Sequence, residues 1–302
     1  ILESYNYSNY QSINLVNIAD SYFEAGLYYD GIENILRAIK IDPENISIEF
    51  LHNYVNRHIS IISPIMNALI NYSSDASLYT GENKFFLSLI HFHRSEDELA
   101  NYYIEDYIQT NPIDYRSLQL VGDYHFNKNN YLSALFSYRK SQLINRNNLY
   151  TLFKSAVCLH NLNYMEESID ILSQILKNNS DNQDGYYLRA LSYMNINQYR
   201  NAIKDFTNYI LLNPDDEEIY FHLGACYYNI KKYNRSKEAL TRYLKFNNEN
   251  GDAHYYLGMI NENILELDAA VTHYTLARKF NPKLMDSNLK LGLLHYKNKN
   301  YK

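Results

Sequence analysis

A repeat of about 34 residues constrains this chain more than any other feature. Four of its five prolines occupy corresponding positions: Pro43, Pro112, Pro214 and Pro282. Their separations of 69, 102 and 68 residues are multiples of 34 to within one residue. Glycines and tyrosines keep the same register, at Gly122, Gly224, Gly258 and Gly292 and at Tyr131, Tyr199, Tyr233 and Tyr301. The chain is therefore expected to fold as a line of similar units and not around one closed core.

The register predicts where each unit begins and ends. After a lead-in at 1–11, the predicted units are 12–45, 46–80, 81–114, 115–148, 149–182, 183–216, 217–250 and 251–284, followed by the first helix of a truncated ninth unit at 285–302. The unit at 46–80 is one residue too long and matches the pattern poorly, so we interpret it as a degenerate repeat whose second helix opens at Pro64. The incomplete last unit predicts that the sequence is a piece of a longer protein.

Apolar spacing predicts two helices in each unit. Between 217 and 250, apolar residues recur three and four positions apart, then a polar break follows at Lys231-Lys232 before the spacing resumes. This pattern is typical of two short amphipathic helices joined by a tight turn. Asn129, Asn163 and Asn197 fall in that turn. Asparagine suits this position because it tolerates the left-handed backbone that such a turn requires. Proline then ends the second helix.

Two sets of positions spaced by 34 residues, here termed columns, hold small residues. The first-helix column reads Ala19, Ser88, Gly122, Ala156, Ala190, Gly224, Gly258 and Gly292, and the second-helix column reads Gly31, Ala100, Ala134, Ser168, Ala202, Ser236 and Ala270. Small side chains at both places predict that the two helices of a hairpin approach each other closely.

Together these columns resemble the tetratricopeptide repeat. The clearest unit reads Tyr186, Ala190, Tyr193, Tyr199, Ala202, Phe206 and Pro214. The resemblance covers the chain from Ser12 onward, apart from 46–80 and from Tyr107, Tyr209 and Tyr243, which stand where the family usually has alanine. It implies an all-α fold, a right-handed α-solenoid of stacked hairpins whose first helices line a concave groove. In this family such a groove commonly receives an extended peptide or a helix of a partner.

One first-helix column that would face this groove is mostly aromatic: Phe85, Gln119, Phe153, Tyr187, Phe221, Tyr255 and Leu289. Exposed rings would offer a partner flat contact area at low entropic cost. Aromatic stripes at helical spacing are equally typical of core packing. Both interpretations stay open on the sequence alone, and Phe153, Tyr187, Phe221 and Tyr255 are the predicted groove residues.

A second column carries asparagine at Asn127, Asn161, Asn195, Asn229 and Asn263. Because a primary amide both donates and accepts, a row of them could bind successive backbone amides of an extended peptide. The alternative is that these residues cap the ends of their own helices.

Acidic residues begin several first helices, at Asp184, Glu218, Asp252 and Asp286. They complement the helix dipole, and beside a groove they would favour a neutral or basic partner over an acidic one. No set of lysines and arginines in consecutive units is placed to bind a terminal carboxylate, since Arg116 and Lys154 are isolated.

No motif for chemistry is found in the sequence. His91 and His93 point to different sides of a helix, and no phosphate loop or Cys pair at metal spacing occurs, so we predict no enzyme, cofactor or metal site. The net charge of −6 argues against nucleic acid, and no apolar run is long enough to span a membrane. Cys158 and Cys226 lie 68 residues apart, too far to bridge in a repeat array, which weakly favours a cytoplasmic over a secreted protein.

These observations predict an adaptor that binds a peptide or protein segment in its groove. Two alternatives remain: a structural strut or oligomerising subunit that uses its outer faces, and a regulatory arm of an enzyme encoded outside this sequence. The oligomeric state is not predicted.

Overall fold

A computed structural model describes the backbone of residues 2–72 and 80–299, and the side chains of 11–72, 81–294 and 296. Within these ranges every regular element is helical. The chain divides into two compact units, 1–162 and 163–302, which are described separately. Positions 1, 73–79 and 300–302 of the predicted lead-in, degenerate repeat and ninth unit lie outside the described residues.

The described part of unit 1 contains nine α-helices. They are α1 Leu2–Glu24, α2 Tyr28–Ile41, α3 Ile48–Arg57, α4 Ile62–Tyr72, α5 Thr80–His93, α6 Asp97–Thr110, α7 Tyr115–Asn127, α8 Tyr131–Ile144 and α9 Leu149–Asn161, with a 3-10 turn at Ile59–Ile61. Helices α1 and α2, α5 and α6, and α7 and α8 pack as consecutive hairpins. Because α1 begins at Leu2, helix extends through the segment predicted as a lead-in.

Up to residue 299, unit 2 contains eight α-helices. They are α10 Met165–Asn178, α11 Gln183–Asn195, α12 Tyr199–Leu212, α13 Ile219–Asn229, α14 Tyr233–Leu244, α15 Gly251–Asn263, α16 Leu267–Phe280 and α17 Met285–Lys299. Helices α11 to α16 form three hairpins, and the second helix of each packs on the first helix of the next. This stacking buries the apolar stripe that a single hairpin would leave exposed.

Small residues hold the helices of a hairpin in close contact, as the two columns predict. In the α13–α14 hairpin, a Cβ on Gly224 would lie 2.5 Å from Cγ of Leu240. The Ser236 hydroxyl from the second column donates to the carbonyl oxygen of Gly224 at 2.7 Å. In unit 1 the direction is reversed, since the hydroxyl of Ser88 in the first column donates to the carbonyl oxygen of Ala100 in the second. A larger side chain in either column would push the backbones apart.

The predicted turn geometry is confirmed. Asn129, Asn163 and Asn197 have φ values of 57°, 64° and 60°, in the left-handed region. Lys231 and Leu265 occupy the same position in the two later hairpins, with φ values of 60° and 66°. The hairpin turn therefore imposes this conformation whichever residue is present.

Tyrosines at the unusual second-helix position link each hairpin to the next. The hydroxyl groups of Tyr107 and Tyr209 each donate at 2.7 Å to the aspartate seven residues later, Asp114 and Asp216. In the following hairpin, the Tyr243 hydroxyl accepts from Nδ2 of Asn250 at 2.9 Å. Asp114 and Asn250 also cap the next first helix. The tyrosine side chain, which is larger than the alanine usual at this position, therefore fixes where the next helix begins.

The segment at 46–80 departs from the repeat in its packing as well as in its sequence. Helix α3 packs on α5 and α7, whereas α4 packs on α2 and α5. Pro64 lies in the first turn of α4, where proline is tolerated because its missing N–H has no helical partner. The result places α3 beside the first helices of the following hairpins.

Candidate partner-binding site

The predicted aromatic column contributes to the core of unit 2. Its three members are half-buried, and each ring packs on a tyrosine of its own second helix. The ring-centroid pairs are Tyr187–Tyr209 at 5.4 Å, Phe221–Tyr243 at 5.4 Å and Tyr255–Tyr274 at 5.7 Å. Burial raises the pKa of the Tyr187 and Tyr255 hydroxyls. These rings therefore stabilise the hairpins, and only their remaining exposed edges are available to a partner.

The same column is more deeply buried in unit 1. Phe85 is inaccessible to solvent and packs on Tyr107, while the guanidinium of Arg116 lies 5.4 Å from its ring centroid. Gln119 is also fully buried and donates to Asn148 at 2.8 Å. Phe153, in α9, is half-buried. A continuous exposed aromatic ladder is therefore not formed.

The asparagine column is exposed at all five positions, Asn127, Asn161, Asn195, Asn229 and Asn263. Three of its amides donate to the carbonyl oxygen four residues earlier in their own helix, at 2.8 to 2.9 Å. A primary amide has a second N–H and a carbonyl oxygen. Helix-end bonding therefore uses one N–H of Asn161, Asn229 and Asn263, and the carbonyl oxygen of Asn263 also accepts from the Tyr233 hydroxyl at 3.3 Å.

The two cations considered for a terminal carboxylate have other partners. Arg116 is 3% exposed, forms an ion pair with Asp114 at 2.8 Å, and donates to the carbonyl oxygens of Ile39 and Ile46. This arginine joins α7 to both ends of the α2–α3 connection, and it cannot reach a ligand. Lys154 lies over the rings of Phe126 and Tyr150 at 4.6 and 5.4 Å, without a carboxylate partner among the described residues.

An open cleft of about 300 Å³ lies on the first-helix face of unit 1. Helices α3, α5, α7 and α9 line it with Glu49, His52, Asn53, Asn56, Phe92, His93, Asp123, Asn127, Tyr150 and Lys154. Three primary amides, one ammonium group and two aromatic rings thus face one space. This is the donor and acceptor mixture that an extended peptide backbone requires.

A chain of hydrogen bonds forms the floor of this cleft and crosses five helices. His93 Nε2 lies 2.9 Å from His52 Nδ1, and His52 Nε2 lies 3.0 Å from Asp123 Oδ2. The other Asp123 oxygen accepts from the Tyr138 and Tyr150 hydroxyls, both at 2.6 Å. The pattern assigns Nε2–H of His52 to Asp123, so that Nδ1 of His52 accepts from His93.

Electrostatics favour this neutral-histidine arrangement. Desolvation, followed by the neighbouring His52, lowers the pKa of His93 to about 4. Burial and the Asp123 carboxylate raise the pKa of Tyr138 and Tyr150, so both hydroxyls remain protonated donors. The polar floor is therefore fixed at neutral pH, and the exposed cleft residues are held on a rigid support.

Sequence reasoning missed this network. Asp123 gave a partial signal, because six members of its column are apolar and only Asp20 of the first unit is also acidic; the apolar members are Leu89, Val157, Leu191, Ala225, Met259 and Leu293. His52 gave none, since it lies in the degenerate repeat, where no column can be assigned. The divergence expected for His91 and His93 is confirmed: His91 bonds to Glu96 and His93 to His52.

The described residues also bear on metal sites, membrane spans and reactive thiols. They contain no group of three or more His, Cys, Asp or Glu side chains arranged to hold a metal ion. None of their helices is both long and apolar enough to cross a membrane. Cys158 and Cys226 are free and buried, and burial raises the pKa of each thiol to about 12.

Comparison with known proteins identifies the class. The tetratricopeptide repeat family model matches residues 183–216 and 217–250, the same bounds that the register predicts for two of the units. The chain therefore contains tetratricopeptide repeats at these residues, and the all-α hairpins of the other described residues agree with the same repeat fold.

Solved structures share this fold. YrrB, described as a TPR protein with an unusual peptide-binding site, is 18% identical over 65% of this chain and 97% of its own, with a TM-score of 0.55. MamA from Desulfovibrio magneticus RS-1 is 18% identical over 56% of this chain and 96% of its own, with a TM-score of 0.53. Another MamA structure is 21% identical over 56% of this chain and 92% of its own, with a TM-score of 0.51. No curated protein matches the sequence.

Proposed function

We propose that this protein is an interaction adaptor that binds an extended segment of a partner protein along its first helices, with the unit 1 cleft as the principal contact. The observation that carries the proposal is the set of amides over a rigid polar floor. Asn53, Asn56 and Asn127 border the cleft, and all three are exposed. The peptide-binding site named for YrrB, which has the same fold, supports the same general role.

The asparagine column extends this binding mode. The exposed amides of Asn161, Asn195 and Asn229 are the proposed further contacts of a partner backbone, and Asn263 adds its second N–H, since its carbonyl oxygen already accepts from the Tyr233 hydroxyl. The exposed edges of Phe153, Tyr187, Phe221 and Tyr255 provide apolar contacts beside them. Replacing these rings is a poor test, because they support the hairpins.

The sharper test changes only exposed amides. A peptide display library is selected against the full chain, and the enriched peptides are measured against the variant Asn53→Ala/Asn56→Ala/Asn127→Ala. We expect these peptides to bind the variant about tenfold or more weakly, because three hydrogen bonds to the peptide backbone are lost.

The matched control removes three second-helix asparagines, Asn34→Ala/Asn201→Ala/Asn208→Ala, and should leave affinity unchanged. Both variants are first checked for wild-type helicity and melting temperature. Peptides that bind the cleft variant and wild type equally would refute the proposed site.

The outer-face alternative has one specific observation in its favour. Helix α8 exposes Leu132, Phe136 and Leu143 by 67%, 61% and 79%. In unit 2, the positions equivalent to Leu132 and Phe136 hold the charged residues Arg200 and Lys204. Hairpin packing therefore does not require apolar residues there. If this stripe joins copies of the chain, sedimentation should detect an oligomer that Phe136→Glu dissociates.

A further inference from the structure

A second surface lies at the turn edge of unit 2, on the loops that join the helices of two adjacent hairpins. We define the turn-edge patch as Lys231, Lys232 and Arg235 from the α13–α14 hairpin together with Ile264 and Leu265 from the α15–α16 hairpin. An open cleft of about 360 Å³ is lined by the three cations, Tyr233, Asn234 and Ile264. The proposed groove does not use any of these residues.

Two residues of the patch carry a conformational cost that asparagine or glycine at the same turn position would avoid. The turn position is left-handed in each of these hairpins; asparagine or glycine occupies it at 26, 129, 163 and 197, and serine at 95. The patch instead has Lys231 and Leu265 there, at φ 60° and 66°. Residues with a Cβ and no short polar side chain are disfavoured in this region. The same molecule uses asparagine or glycine at this position in other hairpins. Strain that is kept although a better residue exists indicates a function.

Among the described residues, the three cations of the patch have no carboxylate partner, although the Arg235 guanidinium lies 5.9 Å from the centroid of the Tyr227 ring. Within the described residues, Lys231, Lys232 and Arg235 form no ion pair, and all are exposed. Neighbouring cations on the same helix differ, since Lys237 pairs with Glu266 at 2.7 Å and Arg242 with Glu217 at 3.1 Å.

The preceding hairpin shows that these charges are not needed for folding. In the columns of Lys231, Lys232 and Arg235 it holds Asn197, Gln198 and Asn201. Three adjacent uncompensated positive charges in a chain of net charge −6 create a local field that attracts carboxylates.

The patch also has an apolar part. Leu265 is 81% exposed, next to the half-buried Ile264 that lines the cleft. A phosphate group or a nucleic-acid backbone would use the cations and leave this leucine in water. A polypeptide with carboxylates and an apolar side chain would use both.

We propose that the turn-edge patch binds an acidic segment of a partner protein, with carboxylates at Lys231, Lys232 and Arg235 and an apolar side chain on Ile264 and Leu265. This surface is separate from the groove, so the protein would hold two segments at once. The acidic column considered above concerns the first-helix face and does not bear on this edge.

The probe is a short fluorescein-labelled peptide of Glu and Leu separated by Ser, measured by anisotropy with the full chain. The test variant is Lys231→Asn/Lys232→Gln/Arg235→Asn, which installs the residues of the preceding hairpin. We expect about tenfold weaker binding, because three exposed ion pairs are lost. A control with the same charge change elsewhere, Arg200→Gln/Lys204→Gln/Arg278→Gln, should bind within about twofold of wild type.

The single variant Leu265→Asn separates function from structure. Relief of the left-handed strain should raise the melting temperature by a few degrees, while the lost apolar contact weakens peptide binding several-fold. A peptide with Ala in place of Leu should bind wild type and Leu265→Asn equally.

Three outcomes would overturn the proposal. The first is equal affinity of the triple variant, the control and wild type for the peptide. The second is tighter retention of single-stranded RNA or anionic phospholipid vesicles than of the peptide through the same three cations. The third is unchanged peptide affinity in Leu265→Asn. If the asparagine variant loses groove binding and keeps turn-edge binding, the assignment of the turn-edge patch still holds.

Discussion

The two units use different chemistry on their first helices. In unit 1, a hydrogen-bonded chain from His93 through His52 to Asp123 joins α3, α5 and α7. In unit 2, the column of Asp123 holds Leu191, Ala225 and Met259, and aromatic contacts such as Phe221–Tyr256 join successive first helices. The apolar contacts at this column in unit 2 tolerate substitution, whereas loss of a member of the polar chain in unit 1 leaves buried partners unsatisfied.

The largest effect is expected from breaking the polar chain. Asp123→Leu installs a residue that unit 2 uses in the same column, but it removes the acceptor for two tyrosine hydroxyls and for His52. We expect a loss of about 3 kcal/mol in the free energy of unfolding, because these buried donors lose their partner. Urea unfolding followed by circular dichroism measures it.

The matched control is Asp184→Leu, which removes an exposed first-helix carboxylate in unit 2 and should change stability by less than about 0.5 kcal/mol. Equal losses in the two variants would mean that the polar chain has no special role.

The next largest effect on stability is expected when the pH is lowered. The pKa of His93 is about 4 in the folded chain against an ordinary 6.5, so the unfolded state takes up the proton first as pH falls. Stability from neutral His93 is complete above about pH 6.5 and is lost as pH falls from there towards 4. His273 in unit 2 behaves in the same direction, with desolvation, His254 and Lys237 lowering its pKa to about 4.

The expected loss is about 1–2 kcal/mol for each histidine. His93→Gln and His273→Gln should each flatten the decline of melting temperature over this range. If acid affects the cleft through His93, only His93→Gln should also remove the acid-induced loss of cleft peptide binding. An unaltered pH profile in both variants would contradict the assignment.

The smallest effect tests a feature that the units share. Tyr107→Phe in unit 1 and Tyr209→Phe in unit 2 each remove one hydroxyl that bonds to the start of the next hairpin. Each should cost about 1 kcal/mol in the free energy of unfolding. Tyr102→Phe, at a position 65% exposed, is the control and should be neutral. A much larger cost in one unit would show that this link is not equivalent in the two.

Periodicity predicted much of the fold because each hairpin contacts its neighbours in the same way. The small columns around Gly224 and Ser236, and the left-handed turns at Asn129 and Asn197, follow from the local needs of one hairpin. The repeat bounds 183–216 and 217–250 agree with the family match for the same reason. The superhelical sense and the other repeat bounds stay predictions.

The candidate site was predictable only in part. The exposure of Asn127 and the other asparagines follows from their place at the ends of first helices. The aromatic column could not be assigned, because a ring at Tyr187 has the same helical spacing whether it faces a partner or packs on Tyr209. Only the position of the second helix decides between the two.

The sequence by itself determined the helical hairpin, its length and its turn, since these depend on residues within one period. The tertiary structure alone decided that His52, from a segment without the repeat pattern, meets His93 and Asp123. It also decided that Arg116 is buried while Lys231, Lys232 and Arg235 are exposed. The physical reason is that such contacts join residues far apart in the chain, where periodicity carries no information about which side chains meet.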